Sequence, residues 1–323
     1  MITRFRPISN VVALLLLPLL MSGCNRVNDS QPIRLAVSPW PGYEYLYLAH
    51  EKGFFAQEGI QLEILELYSL ADALRTFTQG RADGMASTIS EVVQAASMTD
   101  DEIHIVLVTD YSDGADVIIA QQRYPDIPAL KGKRVGAEPG SLGIMLLSLA
   151  LAENNMDIND IEYVALGQAE IPNALLTDKI DAGVTYAPFS NGLQNGPSTH
   201  TIFDSGAVPG EIVDVVSFSG KLGLGDSWLA SFQRAWQRAL DYAQHHPDEA
   251  DKFMAERERQ TVAAFLESRQ GLKIVSGLEQ AGAVSVLTLN NTIMTTCQTL
   301  GRLQSIRKSC TSLHSRIILR VAN

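Results

Sequence analysis

The chain has 323 residues, 46% of them hydrophobic and 19% charged, which excludes a disordered or low-complexity polypeptide and leaves room for two domains. A formal net charge of −11 argues against nucleic acid as a partner, because binders of nucleic acid carry a basic face. With three cysteines, no CxxC, no HExxH and no histidine cluster beyond His245-His246, no designed metal site is expected.

The first element is a targeting segment. Arg4 and Arg6 precede the apolar run "VVALLLLPLLM", which falls short of the roughly 20 residues a spanning helix needs. Small residues then lead into "LMSGC", ending at Cys24, the layout of a secretory signal. This stretch resembles a bacterial lipobox, which implies cleavage before Cys24 and a lipid on its sulfur. An ordinary signal peptide with Cys24 incidental is the plainer alternative. We therefore expect a signal at residues 1–23 and a polar tether at 24–32. Loss of Arg4 and Arg6 takes two positive charges from −11, giving −13 for the mature chain. Cys297 and Cys310 then remain, and a disulfide between them is permitted in an exported protein.

From Ile33 the pattern alternates. Strands are expected at "IRLAVS", "QLEILEL", "DGMAS", "IHIVLVT", "DVIIAQ", "KRVGAE", "IEYVAL", "AGVTYA" and "TIFDS", with helical stretches between most of them. Ser69 and Asp72 have the spacing of a capping box. Such alternation predicts βα units and mostly parallel sheets. An internal echo is visible. "ALRTFTQGRADGMAST" from Ala73 and "ALLTDKIDAGVTYAPF" from Ala174 share an order of helix, turn, acid, strand and hydroxyls. Any α/β chain repeats such units, but the echo also fits two similar lobes sharing a cleft. After Phe218 the chain turns helical, and Trp228, Leu229, Phe232, Trp236, Leu240 and Tyr242 recur near helical spacing as a core stripe. Beyond Glu279 no acid appears while five basic residues do. That segment, 281–323, reads as an atypical tail of poor amphipathic order: a solvated basic extension, a partner-binding tail or a divergent end.

Enzyme signatures are missing: there is no GxSxG elbow and no phosphate loop with its lysine. Binding is better supported. Four loops stand at expected strand ends. "SPWPGYE" offers Trp40, Tyr43 and Glu44 on a turn stiffened by two prolines. "STISE" offers Thr88, Ser90 and helix-start amides. "EPGSLG" offers Ser141 and the free N–H groups of a helix beginning there. "TYAPF" offers Tyr186 and Phe189. Each alone is ordinary turn chemistry; four at matching points of two lobes predict a cleft. "DYSDGADVII" and "VPGEIVDVV" read as the two crossings between lobes; Asp113, Asp116 and Asp214 are candidates for a cationic or hydrogen-bond-donating ligand, with capping of turns and fixing of a hinge the plainer reading of Asp116 and Asp214.

On these residues the chain resembles the substrate-binding lipoproteins of ABC importers in the nitrate, sulfonate and taurine group, relatives of binders of thiamine pyrimidine precursors. "WPGYEYLYLAHEKGFFAQEGIQLEILE", "FTQGRADGMAST", "DYSDGADVIIA", "LKGKRVGAEPGSLG", "DKIDAGVTYAPF" and "FDSGAVPGEIVDV" carry the likeness, in order, over about Ile33 to Val216. The resemblance implies an α/β, two-lobed type II periplasmic-binding-protein fold with a ligand cleft between the lobes. It implies a first lobe at 33–117 and 216–280, completed by C-terminal helices, and a second at 118–215. It further implies a monomeric receptor that takes a small-molecule solute to an ABC permease, needs no cofactor, and meets the membrane through its lipid. Relatives that synthesise a thiamine pyrimidine share the fold but use a cysteine-rich motif that three scattered cysteines do not supply. A sensor passing its closed state to a signalling protein is the second reading. None of the four loops carries Lys or Arg, and aromatics with acids lean toward a polar heterocycle or an amine.

Overall fold

The computed structural model describes residues 1–2, 31–280 and 286–320. Cys24 and nearly all of the expected signal and tether lie outside the described residues. Everything below belongs to one unit, Pro32–Asn323.

The apolar run β1 (Ile33–Val37) is flanked by parallel partners, β2 (Leu62–Glu66) and β3 (Gly84–Thr88). Helices α1 (Glu44–Glu51) and α2 (Phe54–Gln57) join β1 to β2, and α3 (Leu70–Thr78) joins β2 to β3. Ser69 caps α3 by accepting from the Asp72 N–H at 3.3 Å, but the Asp72 carboxylate turns to Arg75, so the expected reciprocal box is only half made. The chain continues through α4 (Ile89–Met98) into the long β4 (Ile103–Ser112) and then leaves the sheet.

The second sheet holds β5 (Val117–Gln121), β6 (Arg134–Ala137), β7 (Glu162–Ala165), β8 (Ala182–Thr185) and β9 (Thr199–Asp204). Helix α5 (Leu142–Glu153) follows β6, and α6 (Ile171–Leu176) precedes β8. The chain re-enters the first sheet as β10 (Val213–Ser219), so the crossing expected over 208–216 ends sooner than its sequence suggested. The reason is visible in "VDVVSFS", whose first six side chains are all buried between β3 and β4. Strand order is β11-β4-β10-β3-β1-β2 in one sheet, with β11 at Leu272–Ile274, and β7-β6-β8-β5-β9 in the other. Neither sheet is purely parallel: β10 runs antiparallel to β3 and β4, and β5 antiparallel to β8 and β9.

The internal echo holds at the level of single atoms. Asp83 takes both the backbone N–H and the guanidinium of Arg34 at the start of β1, and Asp181 takes both from Arg134 at the start of β6. In each sheet that carboxylate fixes the turn into the third parallel strand, so the two units place their strand ends alike. Ligands in open α/β sheets bind beyond those carboxyl ends.

Helices α7 (Asp226–His245), α8 (Pro247–Arg257) and α9 (Val262–Arg269) complete the first lobe. Leu229, Phe232 and Trp236 are buried, with Tyr45 edge-on to Trp236 and Phe55 tilted against Phe232. The expected core stripe is therefore core. β11 (Leu272–Ile274) pairs with the far end of β4, Asp110 to Ser112.

The tail is not a solvated extension. Helix Val286–Arg302 packs against α4, and β12 (Ile317–Leu319) pairs in parallel with the near end of β4, Ile103 to Ile105. Leu289, Ile293, Leu300 and Leu313 are buried. Cys297 and Cys310 form a disulfide with Cα atoms 5.7 Å apart. Its basic residues are used locally: Lys308 pairs with Asp100, and Arg320 with Asp226. The acids this segment lacks are supplied by the lobe it covers. Among the described residues no helix is long and apolar enough to cross a membrane.

Candidate functional site

The loops at the strand ends meet around a small chamber of about 10 Å³, lined by Ser38, Pro39, Trp40, Tyr43, Leu70, Asp116, Leu142, Tyr186 and Asp214. Two of its aromatics come from different lobes. Trp40 follows β1, Tyr186 follows β8, and their rings stand edge to face at 5.8 Å. Phe189 extends that wall, 5.8 Å from Tyr186, toward an outer cleft that also holds Tyr68, Arg257 and Glu258.

"SPWPGYE" is fixed from below by Asp110 on β4. The Trp40 indole N–H donates to Asp110 Oδ1 at 3.1 Å. A Cβ on Gly42 would lie 2.1 Å from Asp110 Oδ2, so only glycine lets this carboxylate approach the turn. Tyr43 donates its hydroxyl to Asp214 Oδ1 in a short bond. Both aromatics are thus fixed by carboxylates that sequence reading had not paired with them.

Hydroxyls tie the crossings together. Ser112 on the first crossing and Ser205, just before the second, have Oγ atoms 2.7 Å apart. Ser205 Oγ accepts from the Gly114 N–H, and Ser112 Oγ from the Asp116 N–H. The backbone of Asp116 is therefore part of the crossing. Its side chain does something else: it is 1% exposed, lines the chamber, and neither carboxylate oxygen has a hydrogen-bond partner of good geometry among the described residues. Asp214, 2% exposed, likewise leaves Oδ2 unpartnered, as Asp110 leaves its own Oδ2.

Several candidates stand elsewhere. Asp113 pairs with Lys273 at 2.7 Å and does not line the chamber. The strand β11 brings that lysine beside it, a contact no local pattern announces. Glu44 is buried on the far side of its helix and accepts from Arg257 Nε at 3.0 Å. Ser90 is buried with its hydroxyl 3.4 Å from the Gln94 amide. Thr88 and Ser141 are helix N-caps rather than lining residues. Several of the N–H groups expected to be free at these caps are taken. Glu91 accepts from the Thr88 N–H and hydroxyl through Oε2 (3.0 and 2.6 Å) and from the Leu142 N–H through Oε1 (2.7 Å). Ser141 Oγ accepts from Gly143 N. Glu91 thus occupies two helix starts at once, one in each lobe.

Sequence reasoning missed Glu91 and Asp110. The Thr88–Glu91 spacing of a capping box was present for the first. For the second, only its place in the quoted crossing hinted at a role.

The electrostatics are one-sided. The lining contains no Lys, Arg or His. Burial pushes Asp116 and Glu91 up to about 7, with neighbouring carboxylates adding to the rise for Asp116. Asp214 and Asp110 are raised by burial, and Asp110 adds further to Asp214. Among the described residues no group of three or more His, Cys, Asp or Glu could hold a metal ion.

Comparison with known proteins agrees with this fold. A solved structure, the alkanesulfonate-binding protein SsuA from Xanthomonas axonopodis pv. citri bound to MOPS, superposes with a TM-score of 0.75 over 90% of this chain and 99% of that one, at 14% identity. The chain therefore has the two-lobed periplasmic-binding-protein fold. A Brucella abortus relative named as a binding protein is 25% identical over 168 residues, 50% of this chain and 49% of the relative. The 4-amino-5-hydroxymethyl-2-methylpyrimidine phosphate synthase THI11 of Saccharomyces cerevisiae is 27% identical over 156 residues, 45% and 43% of the two chains. This chain matches about half the length of either relative or less. A family model described as NMT1/THI5 like matches residues 40–250, well over half of the sequence, and the chain belongs to that family.

Proposed function

We propose that this protein is an extracytoplasmic solute receptor that captures a small polar molecule between its lobes and delivers it to an ABC permease. The observation that carries the reading is the chamber itself. Trp40, Asp116 and Asp214 reach it from the first sheet and the crossings, Leu142 and Tyr186 from the second lobe, and both carboxylate oxygens of Asp116 and one of Asp214 lack partners among the described residues. An unpaired buried polar group is costly, and a ligand that supplies the missing donors would hold the lobes together. Closure would then be the state a permease reads. Cleavage and lipidation at Cys24 would hold the receptor, as a monomer, at the outer face of a membrane.

The synthase relative raises an enzymatic alternative. Against it, the chamber lining offers neither cysteine nor histidine, and Cys297 and Cys310 are joined to each other in the tail. A sensory role would use the same closure with a different partner. Thermal unfolding of residues 25–323 against sulfonates, nitrate, pyrimidines, flavins, amines and amino acids tests the receptor reading. Saturation at a hundred times the dissociation constant adds about 2.7 kcal/mol of stability. A specific midpoint shift without turnover supports a receptor; chemical conversion of the bound compound overturns it in favour of an enzyme.

A further inference from the structure

Two independent features of the chamber agree on the charge of its ligand. The first is a surplus of acceptors. Both oxygens of Asp116 and one of Asp214 are buried and without partners among the described residues, and both residues line the chamber. Asp110 stands behind them, holding Trp40. No basic side chain lines the space, and the neighbouring carboxylates repel one another across it. The second feature is the loss of the anion seats. Helix starts bind anions through free N–H groups, yet Glu91 already takes the Thr88 N–H at the cap of α4 and the Leu142 N–H of α5 with its own carboxylate. An incoming anion would meet Glu91 where it needs bare amides.

The walls suit a cation as well. Trp40, Tyr43 and Tyr186 present aromatic rings, whose faces attract positive charge. A planar group with paired N–H donors matches a carboxylate two-fold. No group of three or more His, Cys, Asp or Glu among the described residues is placed to share a metal ion, which favours an organic cation over a bare metal.

We infer that the chamber, widening from about 10 Å³ to admit it, takes a planar organic cation of the amidinium or guanidinium type, seated against the Trp40–Tyr186 wall with its N–H edge on Asp116 and Asp214. This inference rests on reading the chamber as the solute site.

Three probes of nearly one shape and different charge test it: benzamidine, benzamide and benzoate. The purified full-length chain in detergent is titrated with each at pH 7.5, reading the unfolding midpoint and heat of binding. Benzamidine is expected to raise the midpoint in a saturable way, with at least tenfold tighter binding than either isostere. Asp116→Asn and Asp214→Asn should each weaken it at least tenfold, while Asp113→Asn, outside the chamber, leaves it unchanged. Equal or tighter binding of benzoate or benzamide overturns the inference. So does benzamidine binding that ignores both chamber substitutions, or no benzamidine binding at millimolar concentration. In those cases a shift from any other solute of the wider panel keeps the receptor reading intact; silence across that panel removes both.

Discussion

Glu91 Oε1 accepts the backbone N–H of Leu142 at 2.7 Å, joining the first turn of α4 in one lobe to the first turn of α5 in the other. The same carboxylate caps its own helix at Thr88. Glu91→Ala leaves these buried donors unsatisfied, at about 1–3 kcal/mol for each orphaned group. We expect a lower unfolding midpoint and a larger radius of gyration in small-angle scattering. Glu91→Gln keeps an acceptor and should lose less of both. An unchanged radius in the alanine variant would show that this bond does not hold the lobes together.

The buried acids set the pH response. Asp116 and Glu91 lie at about 7 in the folded protein against about 4 when unfolded. Between those values the folded state binds more protons than the unfolded one, so stability falls as pH rises through the window and levels off above it. Asp181, held down to about 2 chiefly by Arg134 against its burial, acts below pH 4 and does not offset this. Ligand-free protein should therefore unfold at a lower midpoint at pH 8 than at pH 5. Asp116→Asn should flatten that difference and raise the midpoint at pH 8. A midpoint that climbs from pH 5 to 8 would contradict the assignment.

Trp40 and Gly42 separate shape from charge. Trp40→Phe keeps an aromatic ring but removes the donor to Asp110, and Trp40→Ala removes both. Solute affinity should fall modestly for the first and be abolished for the second, with cooperative unfolding retained. Tyr186→Ala should behave like Trp40→Ala, and preserved affinity in both would dismiss this wall as the site. Gly42→Ala forces a Cβ onto Asp110. We expect it to weaken binding as much as a direct wall substitution, measured by the same calorimetric titration.

The tail is structural. The Cys297–Cys310 bond closes a loop of sequence separation 13, for which chain entropy gives about 3 kcal/mol. Replacing both cysteines by serine should lower denaturant stability by roughly that amount. It should also raise amide exchange at Ile103 to Ile105, where β12 pairs with β4. Solute affinity should change little, since neither cysteine lines the chamber.

Much of the fold was legible because it rests on local periodicity. Runs such as "IRLAV" and "KRVGA" can bury both faces only in an interior strand, and the matched "RADG" and "KIDAG" turns placed an acid before each third strand, though not the Arg34 and Arg134 that it clamps. The tail was misjudged for the opposite reason. Its helix buries Leu289, Ile293, Cys297 and Leu300, a stripe at helical spacing, but the α4 surface it packs against lies far off in sequence and gives no local sign.

The site divides along the same line. By itself the sequence determined the turn types, the two aromatic loops and the helix starts, since proline, glycine and capping residues constrain the backbone within a few positions. It could not determine which carboxylates would be short of partners. Asp113 and Asp116 stand three residues apart in one crossing, yet Lys273 reaches the first while the second faces the chamber without a partner. Only tertiary structure decided that, because burial and pairing depend on what the rest of the chain brings alongside.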